Sequence, residues 1–169
     1  MLQSYRIEIK WSVIFTLALM AWTGLERLLG WHDELIAQHA ANTMWFALIA
    51  TALYVLALLD KRKNHYGGQM TWLQGFLSGV WISVSVAVLT PLSQWITHTF
   101  ISPDYFPNII AHGVATGQMT QVEAEAYFTL GNYIWMSALF ALGSGLITAA
   151  IVALFVRRKP QATEQAPTA

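Results

Sequence analysis

The sequence contains no cysteine and few charged residues, and both absences exclude classes of function. Without cysteine there is no disulfide, no thiolate nucleophile and no thiolate metal ligand. Only 11% of the 169 residues are charged whereas 56% are hydrophobic, a balance that argues against a soluble globular domain. The net charge is zero, so no overall field attracts nucleic acid and no nucleic-acid partner is expected.

Motifs for common enzymatic chemistry are also absent. The sequence has no Gly-x-Ser-x-Gly elbow, no phosphate-binding Gly-Lys-Ser/Thr and no dinucleotide fingerprint. No apolar stretch carries the arginine run of a voltage sensor, and the two halves show no strong repeat. We therefore expect no cofactor, and these absences favour a protein without catalytic activity.

Four long apolar stretches, at about 11–29, 40–59, 70–101 and 126–156, are each near or above the roughly 20 residues that cross a bilayer core. Eight basic residues lie outside them, at the start, the middle gap and the end of the chain: Arg6, Lys10, Lys61, Arg62, Lys63, Arg157, Arg158 and Lys159. Together with three acidic residues on the same side, they give that side a net charge of about +5. Only Arg27 departs from this placement of basic residues. This distribution predicts a bacterial inner-membrane protein with both termini in the cytoplasm.

The predicted fold is therefore all-α, an integral membrane four-helix bundle with a short helical outer loop between the third and fourth helices. Residues 1–159 form the transmembrane domain, and the polar, Ala/Pro-rich segment 160–169 is predicted to be a disordered cytoplasmic tail. In the outer loop, residues 105–112 are predicted to form a short amphipathic helix broken by Gly113 and Gly117. A capping box at Thr120 predicts a second helix that continues into the fourth span.

Small residues recur at every fourth position in the last two spans. The third span carries Gly75, Gly79, Ser83 and Ala87, and the fourth carries Ser137, Ala141, Gly145 and Ala149. Such stripes let helix backbones approach closely in lipid, so these spans are predicted to pack tightly. The spacing does not decide whether this contact lies within one chain, within a homo-oligomer or with another membrane protein. Membrane lipids are the other expected partner. Pro91 predicts a kink in the third span.

Ionisable residues cluster at the predicted outer side. Glu26 and Arg27 lie near the end of the first span, either as a buried acid and its partner in a proton or ion path, or as hydrated groups at headgroup level. His32, Asp33, His39 and His112 are candidate ligands for zinc or a similar metal. His32 and His39 are seven positions apart, about two helical turns, so a single helix would not bring both to one ion. The alternative is an ordinary solvated surface.

Several of these segments together resemble a known family. They are Glu26 with Gly30-Trp31-His32-Asp33-Glu34 and His39, the basic cluster at 61–63, the Met70-Thr71-Trp72-Leu73-Gln74-Gly75-Phe76 entry to the third span, and Pro103-Asp104 before 120–125. The pattern, over about residues 5–158, is similar to the small four-helix bacterial membrane proteins of domain of unknown function 4199. That resemblance implies four helices and an inner-membrane location, and brings no activity or site residues.

Three functions remain open at this point. The absent motifs and the two small-residue stripes favour a non-catalytic interaction or accessory subunit. A small oligomeric transporter or ion-conducting protein would use Glu26, with Pro91 lining its path. A membrane enzyme with a metal at the outer face would use the histidines.

Overall fold

The computed structural model describes residues 5–158, which form a bundle of four long helices. These are α1 (Arg6–Leu28), α3 (Phe46–Asn64), α4 (Trp72–Ile96) and α7 (Leu130–Val156). The connections add the short helices α2 (His39–Asn42), α5 (Tyr105–Ala115) and α6 (Gln121–Tyr127). The prediction of an all-α fold with four membrane-span-capable helices is confirmed. The predicted tail, 160–169, lies outside the described residues.

The outward faces of the long helices are apolar. Leu17, Val88 and Phe155 are 59%, 72% and 82% exposed, and large hydrophobic side chains on all four long helices share this exposure. A soluble monomer rarely displays so extensive an apolar surface, whereas lipid tails solvate it well. The chain is therefore a multi-pass helical membrane protein.

The bundle has two chemically different ends. At one end, here called the basic end, α1 begins, α3 ends, α4 begins and α7 ends. At the other, here called the loop end, lie the connections 29–45 and 102–129. The basic end is tied by paired backbone hydrogen bonds between Met70 and Arg158, with N···O distances of 2.9 and 2.8 Å. The packed core, which includes Leu58, Ile82 and Val152, lies in the half nearer this end.

The loop-end helices follow their capping signals but differ from the prediction in two places. Thr120 forms the expected capping box with Glu123 and starts α6. Helix α6 does not continue into the fourth span. The Thr129 hydroxyl accepts a hydrogen bond from the backbone amide of Asn132 and caps the start of a separate helix, α7. Gly113 does not break α5 either, since a helix tolerates a glycine internally. Gly117 follows the end of α5 and has the left-handed φ of 69° that glycine accepts readily.

Helix α4 runs through Pro91 without ending and then widens into a π-helical turn at Thr97–Ile101. Proline lacks the amide that would bond the carbonyl four residues earlier, so α4 loses one backbone hydrogen bond there. Nearby hydroxyls bond backbone carbonyls, Thr90 to Val86 at 3.0 Å and Ser93 to Thr90 at 3.0 Å. The π-helical turn positions His98 at the loop end of the bundle.

The two small-residue stripes face each other within one chain. A Cβ placed on Gly79 would overlap the Cβ of Ala149, and one on Gly145 would lie 2.5 Å from Ser83 Oγ. One placed on Gly75 would lie 3.2 Å from the Cβ of Ala153. In the half of the bundle nearer the basic end, the backbones of α4 and α7 therefore approach each other closely. Helices in lipid associate through such close approach of small residues. Farther along the same face, Gln94 of α4 donates to Ser137 of α7 at 2.9 Å.

Replacing Gly79 with alanine should destabilise the bundle by about 1–3 kcal/mol, because the added methyl group overlaps Ala149 and forces α4 and α7 apart. Thermal unfolding in mild detergent measures this change. Gly143→Ala is the matched control: it lies in α7, and a methyl group there would meet no atom within 4 Å. It should leave stability unchanged or slightly raised. Equal stability for both variants would contradict the packing described here.

Candidate metal centre

Glu26 lies in the last turn of α1 and faces the inside of the bundle. It is 2% exposed, so its carboxylate is not at a hydrated surface. One oxygen, Oε1, accepts a hydrogen bond of 2.7 Å from the indole nitrogen of Trp22, one turn earlier on the same helix. Its other oxygen, Oε2, points towards His32. A buried carboxylate in lipid requires a cation or a proton.

Arg27 does not supply that cation. Its guanidinium donates to the carbonyl of Ile101, at the end of the π-helical turn, and so ties α1 to α4. Neighbouring residues on a helix project in different directions, which explains why Glu26 and Arg27 separate. The two residues predicted as one ionic site therefore have different surroundings.

The connection after α1 brings His32 and His39 together. Gly30 adopts φ of 77°, and its carbonyl accepts hydrogen bonds from the amides of Asp33 (3.1 Å) and Leu35 (2.8 Å). This turn folds the chain back over the end of α1, and a 3-10 turn at Ile36–Gln38 then leads into α2. The two imidazole rings lie 4.9 Å apart, centroid to centroid. On a continuous helix a spacing of seven residues would hold His32 and His39 apart. The segment between them is not a continuous helix, so this separation does not apply.

Glu26, His32 and His39 offer ligand atoms that all lie within 4.8 Å of one another. His32 Nε2 is 3.4 Å from Glu26 Oε2, close to the roughly 3.3 Å between two ligands of a tetrahedral ion at about 2.0–2.1 Å. His32 Nε2 and His39 Nδ1 are buried and have no hydrogen-bond partner among the described residues.

Neighbouring groups orient this cluster. The His32 Nδ1 atom is 2.9 Å from the Ser102 hydroxyl, and a proton on Nδ1 leaves Nε2 free as a metal ligand. Tyr105 covers the cluster, with its ring 4.9 Å from that of His32 and 5.2 Å from that of His39. Burial raises the pKa of the Tyr105 hydroxyl far above its usual value, and it stays protonated against the Tyr133 hydroxyl at 2.9 Å.

Two other candidate ligands lie outside this group. Asp33 accepts a hydrogen bond of 2.7 Å from the Asn108 amide, which also donates to the His32 carbonyl at 3.0 Å. Asp33 thus helps to fix the turn that carries His32, because α5 holds both residues through one side chain. His112 lies four residues beyond Asn108 on α5, and the group of converging ligand atoms among the described residues does not include it.

The cluster borders a cavity of about 530 Å³ inside the bundle. Glu26, His32 and His39 line its loop end, and Gln94 of α4 and His98 of the π-helical turn line it as well. Its deepest walls include Tyr54 and Val86, which belong to the packed core. The cavity therefore reaches the core from the loop end and meets tightly packed helices there.

Sequence reasoning missed Trp22, Ser102 and Tyr105 as parts of this site. Trp22 had a usable signal, since four-residue spacing places it beside Glu26 on one helix face. The other two come from the second half of the chain and meet the histidines only through the tertiary fold. No local pattern in the sequence specifies that contact.

Comparison with known proteins identifies a family and nothing nearer. No curated protein and no solved structure gives a significant match to this chain. A family profile described as "Protein of unknown function (DUF4199)" matches residues 10–158, which is nearly all of the described part. The chain therefore belongs to the DUF4199 family of proteins of unknown function.

Proposed function

We propose that this protein binds one divalent transition-metal ion inside its transmembrane bundle, through Glu26, His32 and His39. The observation that carries the proposal is the convergence of these three groups, with two imidazole nitrogens buried among them. His39 Nδ1 has no hydrogen-bond partner among the described residues, and His32 Nε2 contacts the Glu26 carboxylate at 3.4 Å. Buried polar atoms in native proteins nearly always have a partner, and an ion supplies one here. It would also neutralise the Glu26 carboxylate, which is costly alone in an apolar bundle.

The ligand set selects among metals. Two imidazoles and one carboxylate suit zinc and ferrous iron, whereas magnesium and calcium prefer oxygen ligands alone. Three protein ligands leave at least one coordination position open, which is the arrangement of catalytic rather than structural zinc sites. An ion at this place would act as a Lewis acid on a molecule that enters the adjoining cavity. This supports the interpretation as a membrane enzyme with a metal at its outer face.

A zinc titration of the purified protein against a chromophoric chelator tests the proposal. Protein purified without a histidine tag should take up one equivalent of zinc per chain, and the affinity should fall as pH is lowered because protons compete for imidazole. An ion pair between protonated His32 and Glu26 is the alternative use of the same geometry. It predicts no tight zinc uptake at any pH, and that result would end the metal proposal.

We also propose that the protein lies in the bacterial inner membrane with the basic end and both termini in the cytoplasm. Lysine and arginine near span ends set the orientation of helical membrane proteins, and Arg6, Lys10, Arg62 and Lys63 lie at this end. The metal site would then face the periplasmic side. Glu8 and Asp60 pair with Lys61 and Lys10, which does not weaken the argument because acidic residues contribute little to the rule.

Single-cysteine labelling tests this orientation cleanly because the chain has no native cysteine. In intact cells a membrane-impermeant maleimide should react with Asp104→Cys and not with Lys63→Cys. Both native residues are exposed, so accessibility within the fold does not limit the reaction. After the membrane is permeabilised, Lys63→Cys should react as well. Reaction of both variants in intact cells would overturn the topology.

The other two interpretations have less support in the geometry. The accessory-subunit interpretation rested on the absent catalytic motifs and on the small-residue stripes, and the stripes already pack against each other within one chain. A conducting path through one chain would have to cross the packed core around Leu58 and Ala149, which are fully buried. An oligomer or a protein partner therefore remains a separate proposal, and native mass spectrometry from mild detergent is its test.

A further inference from the structure

The cavity beside Glu26 has a polar end and an apolar remainder. Its loop end is lined by Glu26 and three histidines, and Phe15, Leu19 and Met20 of α1 line it farther into the bundle. At about 530 Å³ it falls within the roughly 300–1,000 Å³ typical of small-molecule sites. The polarity pattern matches a molecule with one polar end and one apolar chain.

The cavity opens sideways between α3 and α7. Met44 on the approach to α3, and Met136 and Phe140 on α7, line the cavity and yet are 60%, 45% and 68% exposed. Residues that line a cavity and also face outwards mark its opening. This opening lies along the apolar flanks of two membrane-spanning helices, so it faces lipid tails rather than water. A ligand would enter from the bilayer.

Gln94 and His98 line the same cavity and define the chemistry of its polar end. The Gln94 amide nitrogen donates to the Ser137 hydroxyl at 2.9 Å, so the Gln94 amide oxygen faces His98 Nε2 at 3.0 Å and accepts a hydrogen bond from its N–H group. His98 Nδ1 then carries a lone pair, is buried, and has no hydrogen-bond partner among the described residues. A neutral imidazole arranged in this way accepts a hydrogen bond, and a hydroxyl group supplies the donor.

We propose that the cavity binds a single-chain amphiphile with a hydroxyl-bearing head, drawn from the bilayer between α3 and α7. The hydroxyl hydrogen bonds to His98 Nδ1, its oxygen faces the open position of the metal, and the chain lies along Phe15, Leu19 and Met20. The contact with the metal rests on the proposed function. The chain-binding cavity and the His98 contact stand without it.

Photo-crosslinking in liposomes tests the proposal. The probe is a long-chain alcohol with a diazirine in the middle of its chain, and the paired probe carries a methyl ether in place of the hydroxyl. In the wild type the alcohol should label the peptide containing Leu19 and Met20, and should do so more strongly than the ether. His98→Phe should remove the preference for the alcohol while the chain is still labelled.

Blocking the opening provides the matched comparison. Ala47→Trp and Ser144→Trp place an indole in the cavity lining, and each should reduce labelling at Leu19 and Met20 by about tenfold or more, equivalent to roughly 1.4 kcal/mol of affinity. Leu139→Trp lies on the outward face of α7, away from the lining, and should label like the wild type. Thermal unfolding of each variant in mild detergent reports whether its fold is intact.

The outcomes separate this inference from the proposed function. Zinc uptake with label confined to outward residues such as Leu154 would overturn the amphiphile site and leave the metal site standing. Interior labelling without zinc uptake would support the cavity and remove the metal contact alone. Equal labelling of the interior by alcohol and ether in the wild type would overturn the assignment of the hydroxyl to His98.

Discussion

Glu26→Gln should reduce zinc affinity by more than about 100-fold while the fold is retained. Loss of a group that only orients a ligand already costs about 10–100-fold in metal affinity, and Glu26 is proposed to be a direct ligand. Glutamine has nearly the same shape and keeps an oxygen to accept the Trp22 hydrogen bond of 2.7 Å, so packing at the end of α1 should persist. Competition with a chelator of known zinc affinity measures the change.

The control for this variant is Glu34→Gln, which removes one negative charge from the same connection. Glu34 is exposed and lies outside the group of converging ligand atoms. It should change zinc affinity little, since an exposed charge acts weakly through water. If the two variants lost affinity equally, a diffuse acidic surface rather than a coordination site would explain binding.

The second large effect is expected at the opposite end of the bundle. Lys61 Nζ lies 2.8 Å from Glu8 Oε1, the Ser78 hydroxyl donates to the same oxygen at 2.8 Å, and the Glu8 and Lys61 side chains are 3% and 4% exposed. Glu8→Leu should destabilise the protein by about 3–5 kcal/mol, because it leaves the Lys61 charge buried without its acidic partner. Unfolding by sodium dodecyl sulfate in mixed micelles measures the loss.

Two further variants separate charge burial from general disruption. Lys10→Leu breaks the pair with Asp60, in which the lysine is about half exposed, and should cost no more than about 1 kcal/mol. The double variant Glu8→Leu with Lys61→Leu should recover most of the stability lost in Glu8→Leu, since an apolar pair often replaces a buried ion pair without loss. If the double variant were as unstable as the single one, uncompensated charge would not be the cause.

Much of the fold follows from local sequence signals. Apolar length predicts the four long helices, and the capping box at Thr120 marks the start of α6. The four-residue spacing of Gly75, Gly79 and Gly145 with alanines identifies the faces that meet, because helix geometry fixes which residues share a face. The break at Thr129 was missed, since an apolar run does not reveal where one helix stops and another starts.

The candidate site was harder to predict than the fold. The sequence indicates Glu26, His32 and His39 individually. Their contact depends on the turn at Gly30, and the positive φ of Gly30 was not predicted from the sequence. Ser102 comes from a segment 70 residues after His32, and its contact depends on how α1 and α4 are aligned. The Glu8–Lys61 pair has no sequence signal that sets it apart from neighbouring charges, because only tertiary packing shows that both side chains are buried.

X-ray absorption at the zinc edge of the metal-loaded protein tests the central claim most directly. The proposed centre should give zinc a low coordination number, with two imidazole nitrogens at about 2.0–2.1 Å, oxygen at a similar distance and no sulfur. The imidazole scattering should weaken in His39→Ala. A shell of six oxygen ligands without imidazole, unchanged in that variant, would mean that zinc is bound at the surface, and it would contradict the proposed centre.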